Sequence, residues 1–148
     1  VLSYLNKWLL IDPVTIVKTI ISNRAVKNQI EKWNREQLLD GKNSLDVKLS
    51  DIGGNYSTVT LSLHPEKVAD RINLFDTGEF HKSIEVKLDK ELFEIVADPI
   101  KQGESGTTNL YSEWGVDIIG LNDENLQKLI EEINDKLIIE ILKTIQLN

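Results

Sequence analysis

The strongest constraint on the fold lies in the last segment of the chain. In "GLNDENLQKLIEEINDKLIIEILKTIQ", apolar residues recur at Leu126, Leu129, Ile130, Ile133, Leu137, Ile141, Leu142 and Ile145. Steps of three and four place these side chains on one broad face of a helix of about six turns. Asn122 is a suitable N-cap, and Asp123 and Glu124 stand where the helix dipole favours negative charge. A face of that length has to be covered, so the rest of the chain must supply a layer to pack on it.

Two further helical segments are legible upstream. Asp12 followed by Pro13 is a helix-start signal, and Ile16, Val17, Ile20 and Ile21 keep helical spacing, which predicts a helix over residues 13–22. After Ser22-Asn23 the pattern restarts with Val26, Ile30, Trp33 and Leu38 and stops at Gly41. The two pieces read as separate helices or as one bent helix.

Beyond Gly41 the period changes. Val59, Leu61 and Leu63 alternate with Thr58, Thr60 and Ser62, which predicts a strand over residues 56–63, set off by Gly53-Gly54. Ile84, Val86 and Leu88 alternate with Glu85 and Lys87, and residues 92–97 return, so a hairpin turns near Asp89-Lys90 through a loop longer than two residues. "DPIKQGESGTTN", residues 98–109, reads as a flexible loop, and "LYSEWG" as a helical turn stopped by Gly115. The resulting class is α+β: N-terminal helices, an antiparallel sheet with a central hairpin, and a long C-terminal helix packed on the sheet. Its 148 residues suit a single domain, divided into a helical arm (1–41), sheet and loops (42–121) and the terminal helix (122–148).

Composition narrows the function classes. The chain has no Cys, which removes disulfides, thiolate metal sites and a Cys nucleophile. Its net charge of −7 disfavours nonspecific binding to a phosphate backbone. That charge is uneven: residues 1–75 carry +2 and residues 76–148 carry −9, a polarity suited to head-to-tail packing of identical subunits or simply to two solvated faces. No apolar run reaches the roughly 20 residues of a membrane span. The start, "VLSYLNKWLLIDPV", lacks a basic leader and a small-residue cleavage site, so it is expected to be an amphipathic docking segment rather than a signal peptide.

The residues that look most like chemistry lie in "LFDTGEFHKSIEV", residues 74–86. Asp76-Thr77-Gly78 has the triplet of aspartic proteases, but those enzymes need two carboxylates that share a proton, and the triplet occurs once. A hydrolase built on Asp76 would therefore require a dimer. The residues that follow read as a helical turn, with Asp76 as its cap and Glu79 completing a capping box. His81 and Ser83, two apart, do not face each other on such a turn. His64 and His81 form no metal-ligand spacing, and "DIGGN" lacks the Lys of a phosphate loop, so Gly53-Gly54 reads as a turn or bulge. No catalytic, cofactor-binding or metal-binding residue is expected. Trp33 and Trp114 read as core or interface anchors, whereas Trp8 lies on the N-terminal apolar segment, where a partner surface fits better.

Several residues taken in order carry a resemblance. Tyr56-Ser57 and Thr60 come first, then Leu74, Thr77-Gly78, Phe80 and Ser83-Ile84, then Tyr111 and Gly115, and finally Ile119-Gly120-Leu121-Asn122 before the last helix. From about residue 55 onward this order is similar to that of the virion morphogenesis, or tail-completion, proteins of Mu-like tailed bacteriophages. Where that family commonly carries a Pro-x-Arg before the final Gly-Leu, this chain has "VDIIGLN", and residues 98–109 have no fixed family counterpart. The resemblance implies a structural role without catalysis or cofactor. It implies a homomeric ring, hexamer or dodecamer, that joins head or portal to tail and contacts portal, neck or tail-tube proteins. DNA would pass through its lumen without specific binding, no membrane would be involved, and the protein would reside in the virion after assembly in the host bacterial cytoplasm. The alternative is a non-viral adaptor that binds a partner through the N-terminal apolar helix, with Trp8, Leu9, Leu10 and Ile11 as anchors.

Overall fold

A computed structural model describes residues 11–103 and 106–146. Helix α1 spans Pro13–Ser22 and α2 spans Arg24–Leu39. The Asp12 carboxylate accepts from the Val14 N–H at 3.1 Å and so starts α1 one residue before its proline. Asn23 breaks the rod: its backbone is extended (φ −62°, ψ 128°) while its side chain caps α2 through the Ala25 N–H at 2.9 Å. The pair is thus one bent helical arm. Its end is a Schellman turn, with the Gly41 N–H on the Leu38 carbonyl (2.8 Å) and the Lys42 N–H on the Gln37 carbonyl (3.1 Å). Gly41 adopts φ +77° there, a conformation a side chain would resist.

Short elements follow. Helix α3 is Leu49–Gly53, α4 is Thr58–Leu63 and α5 is Glu79–Ser83. Strands β1 (Glu85–Leu88) and β2 (Phe93–Val96) pair antiparallel, Glu85 opposite Val96 and Leu88 opposite Phe93. The connection is the four residues 89–92, closed by the Leu92 N–H on the Asp89 carboxylate at 2.7 Å. Strands β3 (Ile100–Gly103) and β4 (Gly106–Asn109) form a second antiparallel hairpin. Helix α6 is Leu110–Trp114, a 3-10 turn covers Val116–Ile118, and α7 is Asp123–Gln146. Asn122 caps α7, accepting from the Asn125 N–H at 3.1 Å. The class is α+β, with N-terminal helices, small antiparallel hairpins and a long C-terminal helix.

Two expectations are corrected. Residues 56–63 are not a strand: α4 occupies the stretch, with the Ser57 hydroxyl accepting from the Thr60 N–H at 3.1 Å. A strand needs a partner, and neither hairpin pairs with this stretch; the local cap wins over β-propensity. Residues 98–109 are not a loop either. They contain the second hairpin, whose base is closed by the Leu110 N–H on the Pro99 carbonyl at 2.9 Å. Its residues carry no alternating apolar pattern because almost none of it is buried.

Two apolar cores share the hairpin. The first gathers Leu38, Leu49, Ile72, Phe80, Ile84, Leu110 and Ile118, with Trp114 against it. The second gathers Ile20, Ile21, Val26, Ile30, Val86 and Leu129, with Trp33 and Phe93 against it. Ile95 on β2 packs against both. Phe80 and Ile84 lie in the first core, and the terminal helix packs against α1 and shares the second core with Val86 of β1 through Leu129. Trp8 lies outside the described residues.

Candidate functional site

The segment from Asn73 to Ser83 forms an elbow that packs on the first core through Leu74 and Phe80. Gly78, at φ +81°, and not Asp76, is the N-terminal boundary of α5; the cap and the capping-box exchange expected of Asp76 and Glu79 are absent. The Thr77 hydroxyl accepts from the Glu79 N–H at a long 3.4 Å. Asp76 turns outward instead and meets Lys101 of β3 at 2.7 Å. That bond, and the charge of Lys101, hold its carboxyl below the usual carboxylate range.

His81 is buried, with the rings of Phe75 and Phe80 edge-on to it at 5.3 and 6.1 Å. Its Nε2 lies 2.9 Å from the Asn73 carbonyl, so the neutral ring carries its proton there. Burial pushes its pKa down, and the nearby Arg35 charge adds to the shift. The Ser83 hydroxyl donates to the Phe80 carbonyl (2.7 Å) and accepts from the Asp98 N–H (2.9 Å). The structure therefore does not bring His81 and Ser83 together; each is bonded to backbone. His64, far along the chain from either, pairs with Glu66 at 3.3 Å on the surface.

Beside the elbow lies an open cleft of about 570 Å³, bounded by α4, α6 and one face of the β3–β4 hairpin. Tyr56 forms part of its wall. Its hydroxyl donates to the Asn73 side chain at 3.0 Å and accepts from the Asn73 N–H at 3.2 Å. Lys67 lies 4.7 Å from the centre of the Tyr56 ring and donates to the Phe75 carbonyl at 2.8 Å. At the rim stand Val59 and Leu63 of α4, 67% and 72% exposed, so this helix buries none of its apolar side chains. Gly53, expected to be a turn or bulge, closes α3 against the Trp114 ring; a Cβ there would overlap the indole. Among the described residues no three His, Asp or Glu side chains gather as a metal site, and no helix is long and apolar enough to cross a membrane.

The β3–β4 hairpin is the most exposed feature around the cleft. Seven of its eight described residues are open to solvent, neither outer edge pairs with a third strand among the described residues, and the Asp76–Lys101 pair ties its cleft-facing side to the elbow. An uncovered strand edge is a template for pairing with another chain.

The residues that position the elbow come from α2, and sequence reading missed them. Arg35 donates to the His81 carbonyl at 2.7 Å and the Ile84 carbonyl at 2.8 Å. Buried Glu31 accepts from the Val86 N–H at 3.2 Å. Asn34 accepts from the Gly120 N–H (3.2 Å) and donates to the Ile118 carbonyl (3.3 Å), while Gln37 donates to the Gly120 carbonyl (3.0 Å) and accepts from the Asn122 N–H (2.8 Å). Glu31, Asn34 and Gln37 recur every three residues on the face that also holds Ile30 and Leu38, and polar residues inside an apolar stripe were the available signal. Tyr56, Leu74, Phe80, Ile84, Tyr111 and Ile119 all belong to the first core or pack on it. Comparison of the chain with known protein families, with curated proteins and with solved structures finds no match.

Proposed function

We propose that this chain is a structural subunit of a bacteriophage virion, a neck or tail-completion ring that joins the head or portal to the tail. The observation that carries the reading is the β3–β4 hairpin, a solvent-exposed arm that pairs with no third strand among the described residues, on a body whose elbow side chains His81 and Ser83 are bonded to backbone. Subunits of closed assemblies contact neighbours through such arms. The uneven charge along the chain supports two unlike lateral surfaces, and an acidic lumen lets DNA slide because like charge disfavours phosphate contact. In this reading no catalytic step occurs, and portal, neck and tail-tube proteins are the partners. The subunits assemble in the host cytoplasm and remain in the virion.

Native mass spectrometry of the purified protein, alone and with portal or tube protein, tests it. A hexamer or dodecamer is expected. Ile100→Asp, which puts a charge on a half-exposed position of the arm, is expected to leave the circular dichroism unchanged and abolish the ring. A lasting monomer that binds one helical partner would favour the adaptor instead. Peptide cleavage by the wild type that Asp76→Ala abolishes would overturn both.

A further inference from the structure

Strand β2 has an unused side. Opposite residues in an antiparallel pair alternate between those that exchange backbone hydrogen bonds and those that do not. The Asp89 N–H reaches the Leu92 carbonyl at 3.4 Å, and the Val86 N–H leaves the ladder for the Glu31 carboxylate at 3.2 Å. Glu85–Val96 and Lys87–Glu94 are therefore the bonded pairs, and the backbone groups of Phe93 and Ile95 point away from β1. No third strand and no loop group among the described residues bonds to them. Their side chains line an apolar groove of about 280 Å³ with Ile119, Gly120, Leu121 and Leu126. A strand edge beside an apolar groove suits an added strand, whose backbone supplies affinity while alternate side chains fill the groove.

We propose that β3 of one copy of this chain adds to the outer edge of β2 of the next, antiparallel, with Ile100 opposite Ile95 and Gln102 opposite Phe93. This deepens the assembly reading above and rests on it for the presence of a second copy. Backbone phase is the first argument. The Leu110 N–H on the Pro99 carbonyl fixes the phase of the second hairpin, so Lys101–Thr108 and Gly103–Gly106 exchange bonds while Ile100 and Gln102 point outward. The Ile100 N–H already donates to the Asp98 carboxylate at 2.9 Å. That leaves the Gln102 N–H to donate to the Phe93 carbonyl, and the Ile95 and Phe93 N–H groups to donate to the Ile100 and Gln102 carbonyls. Side chains are the second argument. Opposite residues share a face of the sheet, so Ile100, 46% exposed on its own chain, enters the groove beside Ile95. Lys101 comes opposite Glu94 on the solvent side, where unlike charges attract. Lys101 then exchanges its half-exposed Asp76 partner for Glu94, a swap between surface pairs that costs little. Strand β4 offers no such match: in the equivalent alignment Thr108 would face Glu94, and Thr107 and Asn109 would face the groove. Because β2 and β3 are different surfaces, the contact runs head to tail from copy to copy, and either closes into a ring or continues as a filament.

The chain has no Cys, so engineered pairs report cleanly. A Glu94→Cys chain mixed with a Lys101→Cys chain and oxidised is expected to give a disulfide between the two, because an opposite pair that exchanges no backbone bonds brings its Cα atoms to about 4.5 Å. Glu94→Cys mixed with Thr108→Cys is expected to give none. Gln102→Pro removes an outward N–H that the second hairpin does not use; it is expected to cut the cross-link roughly tenfold with the circular dichroism unchanged. Thr107→Pro, the same change on the β4 edge, is expected to leave the cross-link intact. In the Gln102→Pro chain the Phe93 and Ile95 amides are expected to exchange roughly tenfold faster than in the wild type, while those of Glu94 and Val96, bonded to β1, keep their rates. Equal cross-linking of Thr108→Cys, no disulfide between Glu94→Cys and Lys101→Cys, or equal exchange in the two chains would each overturn the pairing. A ring in native mass spectrometry without that disulfide would overturn this interface and leave the proposed function standing. The disulfide found in open chains of varied length would uphold the interface and overturn the ring.

Discussion

At the scale of single residues, the reactive-looking side chains of the elbow are held by their neighbours in states that set how stability depends on pH. His81 is the clearest. Its pKa in the folded protein lies below the unfolded value of about 6.5 because burial disfavours the charged ring. The unfolded chain therefore binds the proton more readily. The stability that His81 contributes is complete above about pH 6.5 and is lost as pH falls below it. Denaturant melts at pH 7.5 and 5.5 are expected to show this fall, and the His81→Gln variant to show a smaller one. Asp76 behaves differently. As a helix cap it would lose roughly 1 kcal/mol on truncation, but the carboxylate pairs with Lys101 at a half-exposed site. Asp76→Ala is expected to change global stability by less than about 1 kcal/mol. The same variant is expected to speed amide exchange in β3 and β4, because it frees the arm.

At the scale of elements, α4 shows how context decides a segment's state. "TVTLSL" has the composition of a strand, yet it forms a helix with no buried residue, held at its start by Ser57. Helices this short are marginal without packing. Ser57→Ala is expected to cost about 1 kcal/mol locally and to melt α4 while the rest of the molecule keeps its protection. Chemical shifts of residues 58–63 moving toward coil, with those of the β1–β2 hairpin unmoved, are the measurement. By contrast α1, α2 and α7 were legible from sequence because their caps are local. Asp12, Asn23 and Asn122 each bond to a backbone N–H two or three residues on. The β1–β2 hairpin was legible because residues 84–88 alternate and an apolar segment, 92–97, returns after a short polar turn.

At the scale of the whole molecule, the two cores are joined through Ile95 and the hairpin that carries it. Trp114 reports on the first core and Trp33 on the second. A single cooperative transition is expected at both. Leu129→Ala, which empties a 2% exposed site in the second core, is expected to cost about 2–5 kcal/mol and to lower both transitions together. Separate melting of single-Trp variants would show two independent units instead.

The sequence by itself determined α1, α2 and α7, their caps and the first hairpin, since caps, periodicity and turn residues act over a few positions. It also showed that the elbow's triplet stands alone. Only the tertiary structure decided that residues 56–63 coil rather than extend, because a strand's backbone is satisfied by a neighbour that local pattern does not name. The partners of Asp76, His81 and Ser83 were likewise settled in three dimensions. Hydrogen bonds across 15 residues or more, such as Arg35 to His81 or Ser83 to Asp98, depend on how elements dock, and docking is fixed by the shape of the whole.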